Sequence, residues 1–205
     1  MTLPRVPVTA LACLLALAAA TPALAADSSL RGTLLVAERQ LSGTAFARAV
    51  ILVLEHDDGG ALGLVLNRPS DATLADALPN RADELAYDYP VHLGGPVRMQ
   101  GLALLARTEG NEHGSRRILP EVVYTHAQAA FDAILASSPD PDAVRIFAGH
   151  AGWAPGQLEN EIRRGDWLIV PAKANHIFED NDDDLWQRLQ EQAAGSAKGG
   201  PLHSI

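Results

Sequence analysis

Cysteine is almost missing from this chain. It occurs once in 205 residues, as Cys13, inside an N-terminal apolar stretch. That stretch, residues 11–20, is rich in Leu and Ala and carries no charge, yet it is too short to span a bilayer and suits the core of a secretory signal. Arg5 is the only charge in the first 25 residues, and Ala23-Leu24-Ala25 supplies the small side chains of a processing site. A signal peptide over 1–25 is therefore expected, cut between Ala25 and Ala26, with an uncleaved N-terminal anchor as the alternative. Pro7 and Pro22 bracket the run and argue against a buried helix of the domain. Removal of the leader leaves 180 residues without cysteine. Disulfides, thiolate catalysis and Cys-based zinc sites are then excluded together, and the remaining length suffices for one core and one domain.

Other signatures are absent too. The seven histidines show no His-Glu-x-x-His spacing, no Gly-x-Ser-x-Gly elbow occurs, and no glycine-rich loop ends in Gly-Lys-Ser or Gly-Lys-Thr. Neither a metal nor a cofactor is expected. Positive charge is scarce: the formal net charge is −9, and loss of Arg5 with the leader makes it −10. Such a balance repels polyphosphate. Arg116-Arg117 and Arg163-Arg164 are isolated pairs without interleaved aromatics and read as solvated surface, so no nucleic-acid partner is expected. The predicted partner is a protein or small ligand, with no stable membrane anchor once the signal is removed.

What is present is a mixture of short strands and helices. Residues 33–36, 49–55, 61–66, 91–93, 102–107, 122–124, 144–148 and 167–170 read as strands, with a hairpin turn at Asp57-Asp58-Gly59-Gly60. Val50-Ile51-Leu52-Val53-Leu54 is apolar on both faces, as an interior strand should be. Helices are predicted over 73–78, over 126–136 with Thr125 as its cap, after Pro155, and over 183–192. The pattern indicates a single α+β domain over 26–192, followed by a disordered tail over 193–205.

Five segments, in order, carry a resemblance. They are Phe46-Ala47-Arg48-Ala49-Val50, Glu55-His56, the run from Gly63 to Pro69, Leu93-Gly94-Gly95-Pro96-Val97, and the run from Gly149 to Ile162 that begins Gly-His-Ala-Gly-Trp. Over roughly residues 30–190 the sequence resembles the YqgE/AlgH family. The resemblance implies a mixed, largely antiparallel sheet bent into a partial barrel with helices packed on it. It also implies a transcriptional-regulator label, which many members carry, and a cytosolic location, from which the N-terminus of this chain departs.

Within these segments His150 is the foremost candidate for chemistry. It follows a predicted strand, sits beside glycines and precedes a helix start, where backbone N–H groups hold anions and an imidazole can change charge near neutrality. Relatives commonly place an aromatic such as tyrosine there. The competing reading is a half-buried ring. Gln157, Glu159 and Glu161 follow on the next helix, where the two acids point about 200° apart and cannot form a hydrolase pair. Glu159 is expected to support the helix start. Asn67 is read as a strand stop, or with Arg68 and the Gly94-Gly95 loop as an anion-binding rim. Gly152 and Gly156 are expected to hold strained turn backbone, and Trp153 to be a core or interface aromatic. The expected binding surface joins Asn67, Arg68, Gly94, Gly95 and Pro96 to His150, Gly152, Trp153, Gly156 and Gln157. The leading function is a non-catalytic exported binding domain. Its rivals are a hydrolase-like enzyme using His150 with Glu55, Asn67 or Arg68, and the nucleic-acid regulator of the family label.

Overall fold

The computed structural model describes residues 29–110, 113–178 and 182–198. The expected signal over 1–25, its cut between Ala25 and Ala26, and residues 199–205 of the expected tail lie outside the described residues.

Ten strands form one sheet: β1 (Thr33–Ala37), β2 (Val50–Asp57), β3 (Gly60–Val65), β4 (Pro69–Thr73), β5 (Pro90–Leu93), β6 (Val97–Arg107), β7 (Arg116–Leu119), β8 (Val122–Thr125), β9 (Val144–Trp153) and β10 (Trp167–Pro171). Their order is β10-β1-β2-β3-β9-β6-β8-β7, with β5 beside β9 and β4 beside β5. All pairings are antiparallel except β5 with β9. Among the described residues five α-helices complete the domain: α1 (Leu74–Ala77), α2 (Gln128–Ala136), α3 (Gln157–Arg163), α4 (Asn175–Phe178) and α5 (Asp182–Lys198). None of the described helices is long and apolar enough to cross a membrane.

The two-faced apolar pattern of β2 produces two packings. Val50, Leu52 and Leu54 join one core cluster with β1, β6, β8, α4 and α5, while Ile51 and Val53 join another with Trp153, Leu158 and Trp167. A third cluster lies under α1 and α2. The β2–β3 turn forms as its residues dictate, with the Asp57 carboxylate accepting the Gly59 N–H at 2.7 Å.

The sheet does not close into a barrel, which corrects the partial-barrel expectation. Its end strands, β10 and β7, do not pair with each other. Val170 of β10 and Ile118 of β7 instead share a core cluster with Ile177 and Phe178 of α4 and with Leu185 and Leu189 of α5. Side chains, not a ladder, join the two ends.

Three helix boundaries also differ from the sequence reading. α2 starts at Gln128, because the Thr125 hydroxyl accepts the Ala127 N–H (3.1 Å) and donates to Gly114 O (3.1 Å) in a turn before the helix rather than capping it. The 193–198 part of the expected tail is the last part of α5. Trp186 Nε1 and Gln190 Nε2 both donate to Ala37 O, at 2.7 and 3.0 Å, and a helix fixed by such contacts propagates through Ala193 and Ala194 at little cost. Thr73, placed inside a helix by the sequence reading, is the cap of α1, in a reciprocal capping box with Asp76.

The most consequential difference concerns β9. The sequence suggests that the strand stops at Ala148 and turns; it runs on to Trp153 and kinks at Gly149, where φ is +71°. The kink is where β9 changes partners. Residues Ile146, Phe147 and Ala148 pair in parallel with Val91, His92 and Leu93, while Ala151, Gly152 and Trp153 pair with Gly63, Leu62 and Ala61. Along its other edge runs β6, whose register shifts between Val97 and Leu102.

Candidate functional site

The Gly94-Gly95-Pro96 loop lies against the kink. Gly94 N–H donates to Ala148 O (2.9 Å), and Gly94 O accepts from Val65 N–H (2.9 Å). A Cβ added at Gly94 would lie 2.4 Å from Gly149 O, one at Gly95 2.2 Å from His150 C, and one at Gly149 2.5 Å from Gly95 O. Backbone meets backbone with no room for a side chain, which is the physical demand for glycine at all three positions. The expected Gly94-Gly95 rim is thus a packed joint, with exposed Pro96 leading from it into β6.

Beside the joint is a cavity of about 400 Å³ lined by the start of β6, the end of β8 and residues from β3, β9 and α2. Leu62, Leu78, Leu102, Ala103 and Phe131 form its apolar wall, and Arg98, Gln100, Tyr124, His126, Gln128 and His150 bring polar atoms. Among the described residues no Asp or Glu lines it, in a chain with 25 acidic and 16 basic residues. Burial lowers the His150 pKa below the ordinary histidine value, and the nearby charges of Arg98 and His126 add to the effect. Tyr124 is pushed up to about 12, mainly by burial and then by Glu55, so its hydroxyl keeps its proton. The His126 and Tyr124 rings lie 5.7 Å apart. Among the described residues no group of three His, Cys, Asp or Glu is placed to share a metal ion. The chemistry available is that of a permanent cation, two imidazoles and an apolar wall.

Other residues of the expected surface serve elsewhere. Asn67 Oδ1 accepts the Val50 N–H (2.8 Å) and its Nδ2 donates to Arg48 O (2.9 Å), while the Arg68 guanidinium donates to Ala47 O at 2.8 Å. These side chains clamp residues 45–50, so the Asn67-Arg68 and Phe46-Ala47-Arg48 segments are halves of one structural lock. The anion rim expected of them with the Gly94-Gly95 loop does not form. Asp184 also lines the shallow cleft beside Arg68 and opposes an anion there.

Trp153 is buried, stacked on Phe46 at 6.3 Å and edge-on to Trp167 at 6.2 Å. Both indole N–H groups donate to Glu161 Oε2, at 2.8 and 2.9 Å, and Gln157 Nε2 donates to Glu161 Oε1 at 3.0 Å. Gln157 also accepts the Ala154 N–H (3.1 Å), and Gly156 starts α3 in the left-handed region at φ +73°. Gly152 is exposed and not at positive φ, and an added Cβ there would meet nothing closer than 3.9 Å. The strain expected at Gly152 resides at Gly149.

Glu159 turns the other way, towards His56. Leu30 N–H donates to His56 Nδ1 (3.1 Å), so Nε2 carries the proton and donates to Glu159 Oε1 at 2.9 Å. The Glu159 pKa is lowered first by its own backbone N–H and then by His56. Glu55 pairs with Arg116 at 2.6 Å. Each motif carboxylate is therefore held by a partner outside the cavity lining. Arg98, Gln100 and Gln128 carry no sequence signal for the site, because their approach to His150 depends on the register shift in β6 and on where α2 begins; His126 was visible only as one histidine of seven.

Comparison with known proteins agrees with this architecture. Residues 34–198 match the AlgH-like family (DUF179). A UPF0301 protein of Mycobacterium ulcerans is 39% identical over 162 residues, covering 77% of this chain and 79% of the relative. A UPF0301 protein of Mycobacterium avium is 40% identical over 163 residues, covering 77% and 80%. The solution structure of the AlgH protein from Pseudomonas aeruginosa aligns with a TM-score of 0.65 at 28% identity, over 87% of this chain and 97% of that one. A crystal structure of a Corynebacterium diphtheriae protein gives 0.65 at 27%, over 84% and 87%. With a match that begins in β1 and ends with α5, this chain belongs to the AlgH-like, UPF0301 family.

Proposed function

We propose that this protein is an exported, non-catalytic binding domain whose ligand site is the cavity beside the β9 kink. One observation carries the reading: His150 faces a concave, apolar-walled cavity with no carboxylate on its lining among the described residues, while Glu55, Glu159 and Glu161 are held by other partners. A histidine acting as general base relies on a group to orient and charge-balance it, and the cavity places the Arg98 guanidinium beside it instead. Such a cavity binds; it has no evident means to turn over what it binds. Export rests on the N-terminal signal pattern.

The regulator reading needs a contiguous basic face. Arg116 pairs with Glu55, Arg117 donates to Thr108 O and Pro120 O, Arg163 to Asn160 and Arg164 to Asp166, so both Arg-Arg pairs serve local structure. Purification of the processed protein from the periplasm followed by native mass spectrometry tests the proposal. An N-terminal Ala26 and a small molecule released on denaturation are expected. Met1 retained on a cytosolic protein defeats the export half, and turnover of the released molecule defeats the binding half. Fluorescence anisotropy with mixed DNA duplexes is expected to stay flat to about 10–100 μM protein at physiological salt.

A further inference from the structure

Resting on that reading of the cavity, we propose that its occupant is a small amphipathic monoanion, with its acidic head at Arg98, His126 and His150 and its apolar body against Leu62, Leu78, Leu102 and Phe131. Three independent observations lead to this ligand class. The first is the sign of charge. Acids outnumber bases in the chain, yet among the described residues the cavity lining holds one Arg and two His and no acid. Arg98 forms no ion pair among the described residues, so its charge is available to a guest.

The second is the backbone that presents Arg98. This residue lies at φ +51°, a region costly for a side chain that is not glycine, within the β6 stretch where the register with β9 shifts between Val97 and Leu102. Register shifts of this kind re-aim side chains and recur beside binding sites. Here the shift lies where Val97 pairs with His150, bringing the guanidinium close enough to depress the imidazole's proton affinity.

The third is size and valence. A volume of about 400 Å³ lies in the lower part of the range of small-molecule pockets, which run to roughly 300–1,000 Å³. One permanent cation balances one negative charge, and an apolar wall as extensive as the polar one suits a carboxylate bearing a ring or short chain. A nucleotide carrying several phosphates would leave most of its charge uncompensated. On binding, the acid replaces solvent at Arg98 with a charge-assisted hydrogen bond, and the imidazoles supply further N–H donors.

Calorimetry and amide NMR titration of the processed protein with octanoate and phenylacetate, against octanamide and phenylacetamide, test this. The acids are expected to saturate with shifts at Gly149, His150 and Arg98, and each amide to bind at least about tenfold more weakly. Arg98→Gln, at an exposed position, is expected to keep the melting temperature, lower acid affinity about tenfold and lower amide affinity by less, so that the acid-over-amide preference shrinks. Equal affinity for acid and amide, full acid affinity in Arg98→Gln, tighter binding of ATP, or no saturable shift with either acid to about 1 mM overturns the ligand class. Hydrolysis of 4-nitrophenyl octanoate that depends on His150 overturns the non-catalytic reading instead and leaves the preference for an anion standing.

Discussion

Gly149 and Gly152 stand in the same Gly-His-Ala-Gly-Trp stretch, but one is packed against backbone and the other is open. At Gly149 the chain is at φ +71° with the Gly95 carbonyl where a Cβ would go; at Gly152 the space is open. The halves of the motif that these residues introduce differ in the same way. Around Gly149 the backbone is crowded, and the side chains of His150 and nearby Arg98 face a cavity. From Trp153 onward the side chains satisfy one another, with Glu161 taking two indole N–H groups and the Gln157 amide. One half is a joint whose polar side chains line a cavity, and the other is a clasp that fastens α3 to the sheet. A continuous motif therefore need not be one site.

The comparison predicts a ranking of effects. Gly149→Ala and Gly95→Ala each force a Cβ into backbone atoms and are expected to cost about 3 kcal/mol or more, read as a fall in urea midpoint or failure to fold. A near-normal midpoint in either variant would dissolve the joint. Glu161→Leu, in the clasp, leaves two indole donors without their acceptor and is expected to cost about 2–3 kcal/mol with a shift in tryptophan fluorescence; Glu161→Gln retains an acceptor and should cost less.

A smaller effect separates the halves by pH. The His150 pKa is lowered by burial, Arg98 and His126, so below about pH 6.5 the unfolded chain takes up a proton that the folded cavity resists. Folded-state stability is unaffected by this group above that pH and falls as pH drops through it, levelling off below the folded pKa. His150→Phe should remove this component, leaving a shallower loss between about pH 7.5 and 5.5 in urea titrations. An identical pH slope in the two proteins counts against the cavity's electrostatics. The smallest effect is expected from Gly152→Ala, within about 0.5 kcal/mol of the parent, because the position is an exposed strand site with ordinary backbone. A loss as large as that at Gly149 would erase the distinction between the two glycines.

Much of the fold was legible because it follows from local rules. Asp57 to Gly60 forms the hairpin its residues favour, β2 is apolar on both faces and buried on both, and Trp153 belongs to the core. Asn67 stops a strand as expected, although its amide reaches Val50 and Arg48 across the sheet rather than its own turn. Strands β4 and β7 escaped notice because exposed or arginine-bearing segments such as Pro69–Thr73 and Arg116–Leu119 lack the apolar alternation that marks a strand. The sequence singles out His150, which lines the cavity, but points to Glu55, Asn67 and Arg68 as its neighbours, each of which proves to be tied into the scaffold.

The sequence by itself determined the elements whose causes are short-ranged: the turn glycines, the buried strands, the absence of metal-ligand spacing and the opposed directions of Glu159 and Glu161, which a helix of 3.6 residues per turn dictates. It also identified the segments that place the chain in its family. Only the tertiary structure decided that β9 continues through Gly149, that Gly94 and Gly95 are held against it, and that Arg98, His126 and His150 converge on one cavity. Those outcomes depend on which strand lies beside which, and on a register shift between residues far apart in the chain. No local propensity encodes such a choice, since it is settled by the packing of the whole sheet.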